Sequence, residues 1–156
     1  MTPLDIVLVE PQIPQNTGSI ARTAAACKTP LHIVGKAAFE ISDKTVRRAG
    51  LDYWPFVELH HHQDLETYID KVKPHKFWLF SKFGTKIYYK ADFHEKDALI
   101  FGGEVKGLGK ELLEKYPEQV LKIPIQCCGV RSLNLSNAVS IALYEARRQL
   151  KLDEVD

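Results

Sequence analysis

No stretch of the 156-residue sequence approaches the ~20 consecutive apolar residues that a membrane span requires. The chain meets Asp5 and Glu10 almost at once. Its start therefore lacks the basic and apolar regions of a secretory signal, and a cytoplasmic location is expected. Cysteine is scarce. Cys27, Cys127 and Cys128 form an odd set with no C-x-x-C pair, which suggests neither a disulfide framework nor a zinc site. An excess of one charge is also missing: 21 Lys and Arg against 20 Asp and Glu leave a net +1. The whole chain thus carries no strong field, and binding to a polyanion would need local patches or charge summed over an oligomer. Lys44, Arg47 and Arg48 form one basic cluster, and Arg147, Arg148 and Lys151 another; each alone reads as the wet face of a helix. His60-His61-His62 shows no acidic or cysteine partner at ligand spacing. The run is expected in a solvated loop, where a strand over Phe56 to Leu59 gives way to a helix, and no metal is assigned.

What the sequence does have is alternation. Apolar runs at Leu4–Val9, Leu31–Val34, Phe77–Phe80, Ala98–Phe101 and Val120–Ile125 are short and bounded by glycine, proline or charge, as buried parallel strands are. Between them, Thr17–Cys27, Asp43–Gly50, Asp64–Val72 and Lys110–Tyr116 show helical spacing. The pattern predicts one α/β domain over 1–156, a mainly parallel sheet with helices on both faces. Val139, Ala142, Leu143, Ala146 and Leu150 draw an apolar stripe on a last helix, capped by Ser136 or Asn134. The acidic tail, about residues 152–156, is expected to fray.

Three segments follow apparent strands, where open α/β sheets place ligands. In Glu10-Pro11-Gln12-Ile13-Pro14-Gln15-Asn16-Thr17-Gly18-Ser19-Ile20-Ala21-Arg22, the prolines force an extended exit and Asn16 is a fair helix cap. Gly18 lies one turn before Arg22 and leaves room for its guanidinium near the helix start, a place for a cation only if an anion is near. A plain exposed arginine fits this stretch equally. Gly102-Gly103-Glu104-Val105-Lys106-Gly107-Leu108-Gly109 matches neither a P-loop nor a dinucleotide fingerprint, so on its own it reads as a sharp turn or a close backbone approach to a ligand. Arg131, Ser132, Asn134, Ser136 and Asn137 put five polar side chains into seven residues, more than capping needs, which points to a ligand site.

In order, N-T-G-S-I-A-R, F-G-G-E-V-K-G-L and I-P-I…R-S-L-N-L-S-N-A-V-S-I-A-L-Y-E-A resemble the three motifs of the SpoU branch of SPOUT-class RNA ribose methyltransferases. The opening L-D-I-V-L-V-E-P-Q-I-P-Q-N-T-G and the ending L-Y-E-A-R-R-Q are similar to those of the small enzymes that methylate the wobble cytidine or uridine of tRNA. The resemblance runs from about Leu4 to Leu150.

It implies a sheet whose C-terminal part is threaded into a deep trefoil knot, S-adenosylmethionine as methyl donor, a homodimer, and the tRNA anticodon stem-loop as substrate. It places the donor among loops that begin at Phe80, at Gly102, and at Ile123 leading to Ser132 and Leu133. The 2′-hydroxyl of ribose 34 is the implied acceptor. Arg22, Asn134 and Tyr144 are the implied catalytic set, and Asn16, Arg22 and Arg131 the implied substrate contacts. Each has a plainer reading beside it: Asn134 and Asn16 as caps, Tyr144 as a packed tyrosine, and Glu104 as a brace of its own loop.

Arg22 as a literal base conflicts with its chemistry, because a guanidinium has no acceptor and a pKa above ~12. A grip on phosphate with stabilisation of the developing alkoxide is the reading favoured here. Two departures from the family pattern stand out: Phe80-Ser81-Lys82-Phe83-Gly84 is bulkier than the usual Thr-rich loop, and Cys127-Cys128 replace small polar residues in a loop about one residue longer. The rival readings are ribose methylation of ribosomal RNA or of another tRNA site, a knotted RNA-binding protein without turnover, and a flavodoxin-like redox domain that lacks a phosphate loop.

Overall fold

The computed structural model describes residues 3–39 and 52–154. Among the described residues seven strands form one sheet: β1 (Leu4–Val9), β2 (Leu31–Val34), β3 (Leu59–His62), β4 (Phe77–Phe80), β5 (Lys86–Ile87), β6 (Asp97–Phe101) and β7 (Val120–Lys122). Their order is β3-β2-β1-β6-β4-β7-β5, and every pairing is parallel. The described helices are α1 (Pro14–Ala26), α2 (Leu65–Val72), α3 (Lys110–Lys115) and α4 (Leu135–Gln149). Among the described residues no helix is long and apolar enough to cross a membrane.

Two cores explain the layers. Side chains alternate across a strand. Leu4, Ile6 and Leu8 therefore face α1 and α4, where Ile20, Ala21, Ala24, Val139, Ala142, Leu143 and Ala146 are buried. Val7, Leu79, Ala98 and Ile100 face the other way, toward Tyr68 of α2 and Leu112 and Leu113 of α3. Central strands buried on both faces read as near-continuous apolar runs, which is why they stand out in the sequence; the buried Asp5 and Asp97 are hydrogen-bonded exceptions.

Several expectations shift. The histidine run is a strand, not a loop: Trp54–Phe56 is a 3₁₀ turn and His60 pairs with His32 across the β2–β3 edge. His62 is buried because its polar atom has a partner, His32 Nδ1 at 2.9 Å from its Nε2. His32 Nε2 in turn lies 3.4 Å from Asp5 Oδ2, which also accepts from the Tyr68 hydroxyl at 2.8 Å. These two hydrogen bonds and the His32–Asp5 contact between them take the place of apolar packing at the edge. β7 ends at Lys122 rather than Ile125; Pro124, without an N–H, cannot extend a ladder. The two-residue β5 had no counterpart in the apolar pattern. Asp153, expected in a frayed tail, is held by the Arg147 guanidinium, whose Nε donates to it at 3.1 Å. Lys44, Arg47, Arg48 and the helix expected over Asp43–Gly50 lie outside the described residues, as do the last two residues of the chain.

Candidate methyl-transfer cleft

A cleft of about 1170 Å³ opens beyond the C-terminal ends of β4 and β6. Three chain segments wall it: residues 81–83 after β4, residues 103–110 after β6, and residues 131–135 leading into α4. Asn16, in the first turn of α1, closes the fourth side. The three segments singled out in the sequence thus converge on one space.

Hydrogen bonds tie them together. The Glu104 carboxylate accepts from Gln12 N (2.7 Å), Ile13 N (3.1 Å) and Asn16 Nδ2 (3.3 Å). In return the Gln12 side-chain carbonyl accepts from Val105 N (2.8 Å) and Lys106 N (3.1 Å). Asn16 Oδ1 accepts from Asn134 Nδ2 at 3.1 Å, and Asn134 Oδ1 accepts from Ser136 N, Ser136 Oγ and Asn137 N. One continuous network therefore runs from the exit of β1, through the glycine loop, to the start of α4.

The network alters two expected roles. Asn16 does not cap α1. With Pro14 in its first turn, the helix starts before Asn16, Ile13 takes the cap position, and Ile13 offers no side-chain cap. A negative charge at a helix N-terminus is stabilising, and Glu104 supplies it from 88 to 92 positions away. Glu104 braces the first segment rather than its own loop. Asn134 does cap α4. Its Oδ1 is committed to that cap, so only an Nδ2 hydrogen remains for a ligand.

The glycine loop is a folded hairpin, closed by Gly107 N to Gly103 O at 2.9 Å. A Cβ at Gly102 would stand 2.1 Å from the Gly107 carbonyl carbon, so only glycine permits this closure. Gly107 adopts φ +62°, and its Cα faces open space.

The placement of the remaining residues divides them. Arg131, Ser132 and Leu133 line the cleft with Asn16 and Asn134. Phe80, Gly102 and Ile123 sit at the roots of the loops instead. Phe80 stacks on Phe101 with ring centroids 4.7 Å apart, and Ile123 packs on the α1–α4 core. Arg22 is exposed on α1, its guanidinium 5.8 Å from the Tyr53 ring centroid, while the Tyr53 hydroxyl donates to Gly18 O at 2.7 Å. Six residues beyond Asn16, Arg22 lies ~9 Å further along the helix and outside the cleft of its own chain. Tyr144 is also outside, half-exposed on α4; a hydrogen bond with Cys27 pushes its phenol up, so it is no base near neutral pH. Residues not foreseen are Gln12, whose side chain completes the reciprocal brace, and Lys82 and Phe83. Phe83 is 73% exposed in the cleft wall with the Lys82 ammonium 5.2 Å from its ring centroid. The only advance sign of the last pair was the bulk of that loop.

Among the described residues the cleft lining contains no histidine and no aspartate. Its two carboxylates are Glu104, engaged by three donors, and Glu114, 3.7 Å from Lys110. Lys82, Lys106, Lys110 and Arg131 make the rim basic. The walls suit an uncharged ring held by apolar side chains and loop backbone, and the rim suits phosphate; among the described residues the lining offers no imidazole, and its two carboxylates are a hydrogen-bonded Glu104 and a Glu114 paired with Lys110.

Comparison with known proteins agrees with this geometry. The profile described as the SpoU rRNA Methylase family matches residues 3–144. A tRNA (cytidine(34)-2'-O)-methyltransferase of Saccharophagus degradans is 43% identical over 147 residues, covering 94% of this chain and 95% of that protein. A structure solved for the 2-OH methylation of C/U34 on tRNA superposes with TM-score 0.88 at 44% identity, covering 96% of this chain and 97% of that one. An AdoMet-bound rRNA methyltransferase from Sinorhizobium meliloti superposes with TM-score 0.78 at 26% identity, covering 96% of this chain and 59% of that one.

Proposed function

The chain belongs to the SpoU rRNA methylase family, and from that premise we propose that it methylates the ribose 2′-hydroxyl of nucleotide 34, cytidine or uridine, in tRNA with S-adenosylmethionine as donor. The observation that carries the reading is the convergence of the three motif segments on one cleft, braced through Glu104, Asn16 and Asn134.

The cleft fits the donor. Gly107 and Gly109 leave space where any other residue would place a Cβ, so ligand and loop backbone can approach closely there. Ser132, Leu133 and the wall at Ser81–Phe83 supply the facing surface. When bound, S-adenosylmethionine supplies an electrophilic methyl group on a sulfonium, open to in-line attack by an oxygen.

The protein's own residues then have three tasks. Asn134, fixed by its cap and by Asn16, directs its remaining N–H toward the ribose. Arg131 and the lysine rim hold phosphate. Arg22 grips the nucleotide's phosphate and stabilises the alkoxide as it forms, since a guanidinium can donate but not accept. With the cleft carboxylates engaged, the hydroxyl proton leaves to a phosphate oxygen or water.

The distance of Arg22 from its own cleft favours a homodimer in which a second copy brings Arg22 to the cleft mouth. Exposed Ile141 and Tyr144 on α4, and exposed Ile13 and Leu133 beside the cleft, offer apolar surface for that contact. We further propose the deep trefoil knot: β7 lies between β4 and β5, both earlier in the chain, and the segment beyond it returns to α4 against α1. A cytoplasmic site of action follows from a tRNA substrate.

A direct test offers methyl-labelled S-adenosylmethionine with undermodified tRNA and ribosomal RNA in parallel. Label in tRNA is expected. Label only in ribosomal RNA would overturn the substrate, and no label in either would overturn the activity.

A further inference from the structure

We propose that His75, His94 and Asp97 form a binding site for a divalent cation of the zinc class, at the end of the sheet opposite the methyl-transfer cleft. His75 precedes β4 and Asp97 opens β6, whereas the cleft lies beyond the other ends of these strands. One ligand atom from each of the three residues lies within 4.8 Å of the others.

The carboxylate is the unusual member. Asp97 is 0% exposed, and its Oδ2 is oriented by the Trp78 indole N–H at 3.0 Å and the His94 backbone N–H at 2.9 Å. Oδ1 is left facing His75 Nδ1 at 3.0 Å. Among the described residues neither lysine nor arginine forms an ion pair with it. The nearby Lys76 ammonium lies over the Trp78 ring, 4.3 Å from its centroid. A buried carboxylate held by hydrogen bonds but matched by no fixed cation attracts a metal ion, because burial penalises its charge until a partner supplies the opposite one.

The donors fit a borderline cation: two imidazoles and one carboxylate, with the carboxylate already oriented by donors behind it. Ligand atoms around tetrahedral zinc stand ~3.3 Å apart at ordinary bond lengths, so the 3.0 Å between His75 and Asp97 needs little adjustment. The His75 and His94 rings, 5.2 Å apart at centroids, need only side-chain rotation, and both are exposed to the solvent from which an ion would enter. The backbone is fixed: His75 N donates to Lys96 O at 2.9 Å and Ala98 N to Lys76 O at 2.8 Å, clamping the two strand starts together. A bound ion would staple β4 to β6 and keep one position open to water.

The test uses the untagged, chelator-treated full chain carrying His60→Gln and His61→Gln, which removes the exposed histidines of the other cluster. Cobalt(II) serves as the spectroscopic probe and zinc as competitor. One cobalt per chain is expected, displaced by zinc. His75→Gln or His94→Gln should weaken binding at least ~10-fold while leaving the circular dichroism spectrum unchanged. Metal should raise the melting temperature of the parent and not of those variants. Because Asp97→Asn disturbs a buried network and risks misfolding, the two surface histidine variants carry the test. Absence of stoichiometric binding, or binding unchanged in both, would show that His75 is only the hydrogen-bond partner of Asp97 and would overturn the proposal.

Discussion

Glu104 spends a carboxylate on architecture. Three donors from the first segment converge on it, so its removal should be felt as lost stability and lost geometry together. Glu104→Ala is expected to lower unfolding free energy by about 2 kcal/mol, the scale for hydrogen bonds to a charged group, and to slow methyl transfer at least ~10-fold. Glu104→Gln, which keeps an acceptor, should recover part of both; chemical denaturation and single-turnover kinetics measure the two effects. Arg22 separates differently. If it clamps and stabilises, Arg22→Ala should cost ~100-fold in rate, and the pH–rate profile of Arg22→Lys should keep the wild-type shape. A titration seen in the wild type that disappears in Arg22→Lys would instead identify Arg22 as the base.

His62 has a separate consequence at low pH. Burial first, then the charges of His32 and Lys71, lower its pKa below the ordinary histidine value of about 6.5. The unfolded chain therefore takes up a proton that the folded chain resists. The contribution of His62 to stability is complete above pH about 6.5 and declines as pH falls through the lowered folded value. Urea midpoints measured from about pH 8 to pH 5 should drop, and His62→Gln should flatten the decline.

Among the elements, the glycine hairpin after β6 gives the sharpest contrast. Alanine at Gly102 would collide with backbone 2.1 Å away, which no side-chain rotation relieves. Gly102→Ala should open the hairpin and abolish donor binding by calorimetry. Gly107→Ala meets only the strain of a positive φ, ~1 kcal/mol, with nothing in its way, and should bind more weakly but measurably.

The elements also show what a sequence can disclose. The central strands were legible because burial on both faces favours a near-continuous apolar run, and α4 because its apolar stripe has helical spacing. β3 was not, since His60 and His61 are exposed and His62 satisfies its burial by hydrogen bonding to His32 rather than by being apolar. The start of α1 was misplaced because its capping charge comes from Glu104, which no local pattern ties to Ile13. The segments of the site were visible as motifs. Their brace was not: Asn16 and Asn134 are 118 positions apart, and only the fold makes them neighbours.

For the whole molecule, a net charge of +1 has to be reconciled with a polyanionic substrate. The basic rim of the cleft supplies one patch, and a second copy would add its Arg22 and its own rim. Affinity for tRNA should then fall steeply with salt, because each phosphate contact releases condensed counterions. A flat response would contradict phosphate gripping. Sedimentation should find a dimer whose dissociation on substituting Ile141 with Glu abolishes transfer while the chain stays folded.

The most direct measurement removes one oxygen from the substrate. Anticodon stem-loops carrying a 2′-deoxy nucleotide at position 34, or at a neighbouring position, are incubated with the protein and labelled S-adenosylmethionine. Transfer should vanish for the deoxy-34 substrate and persist when the neighbouring position is deoxy. Label that persists on the deoxy-34 substrate would place the methyl elsewhere and contradict ribose 34 as the acceptor.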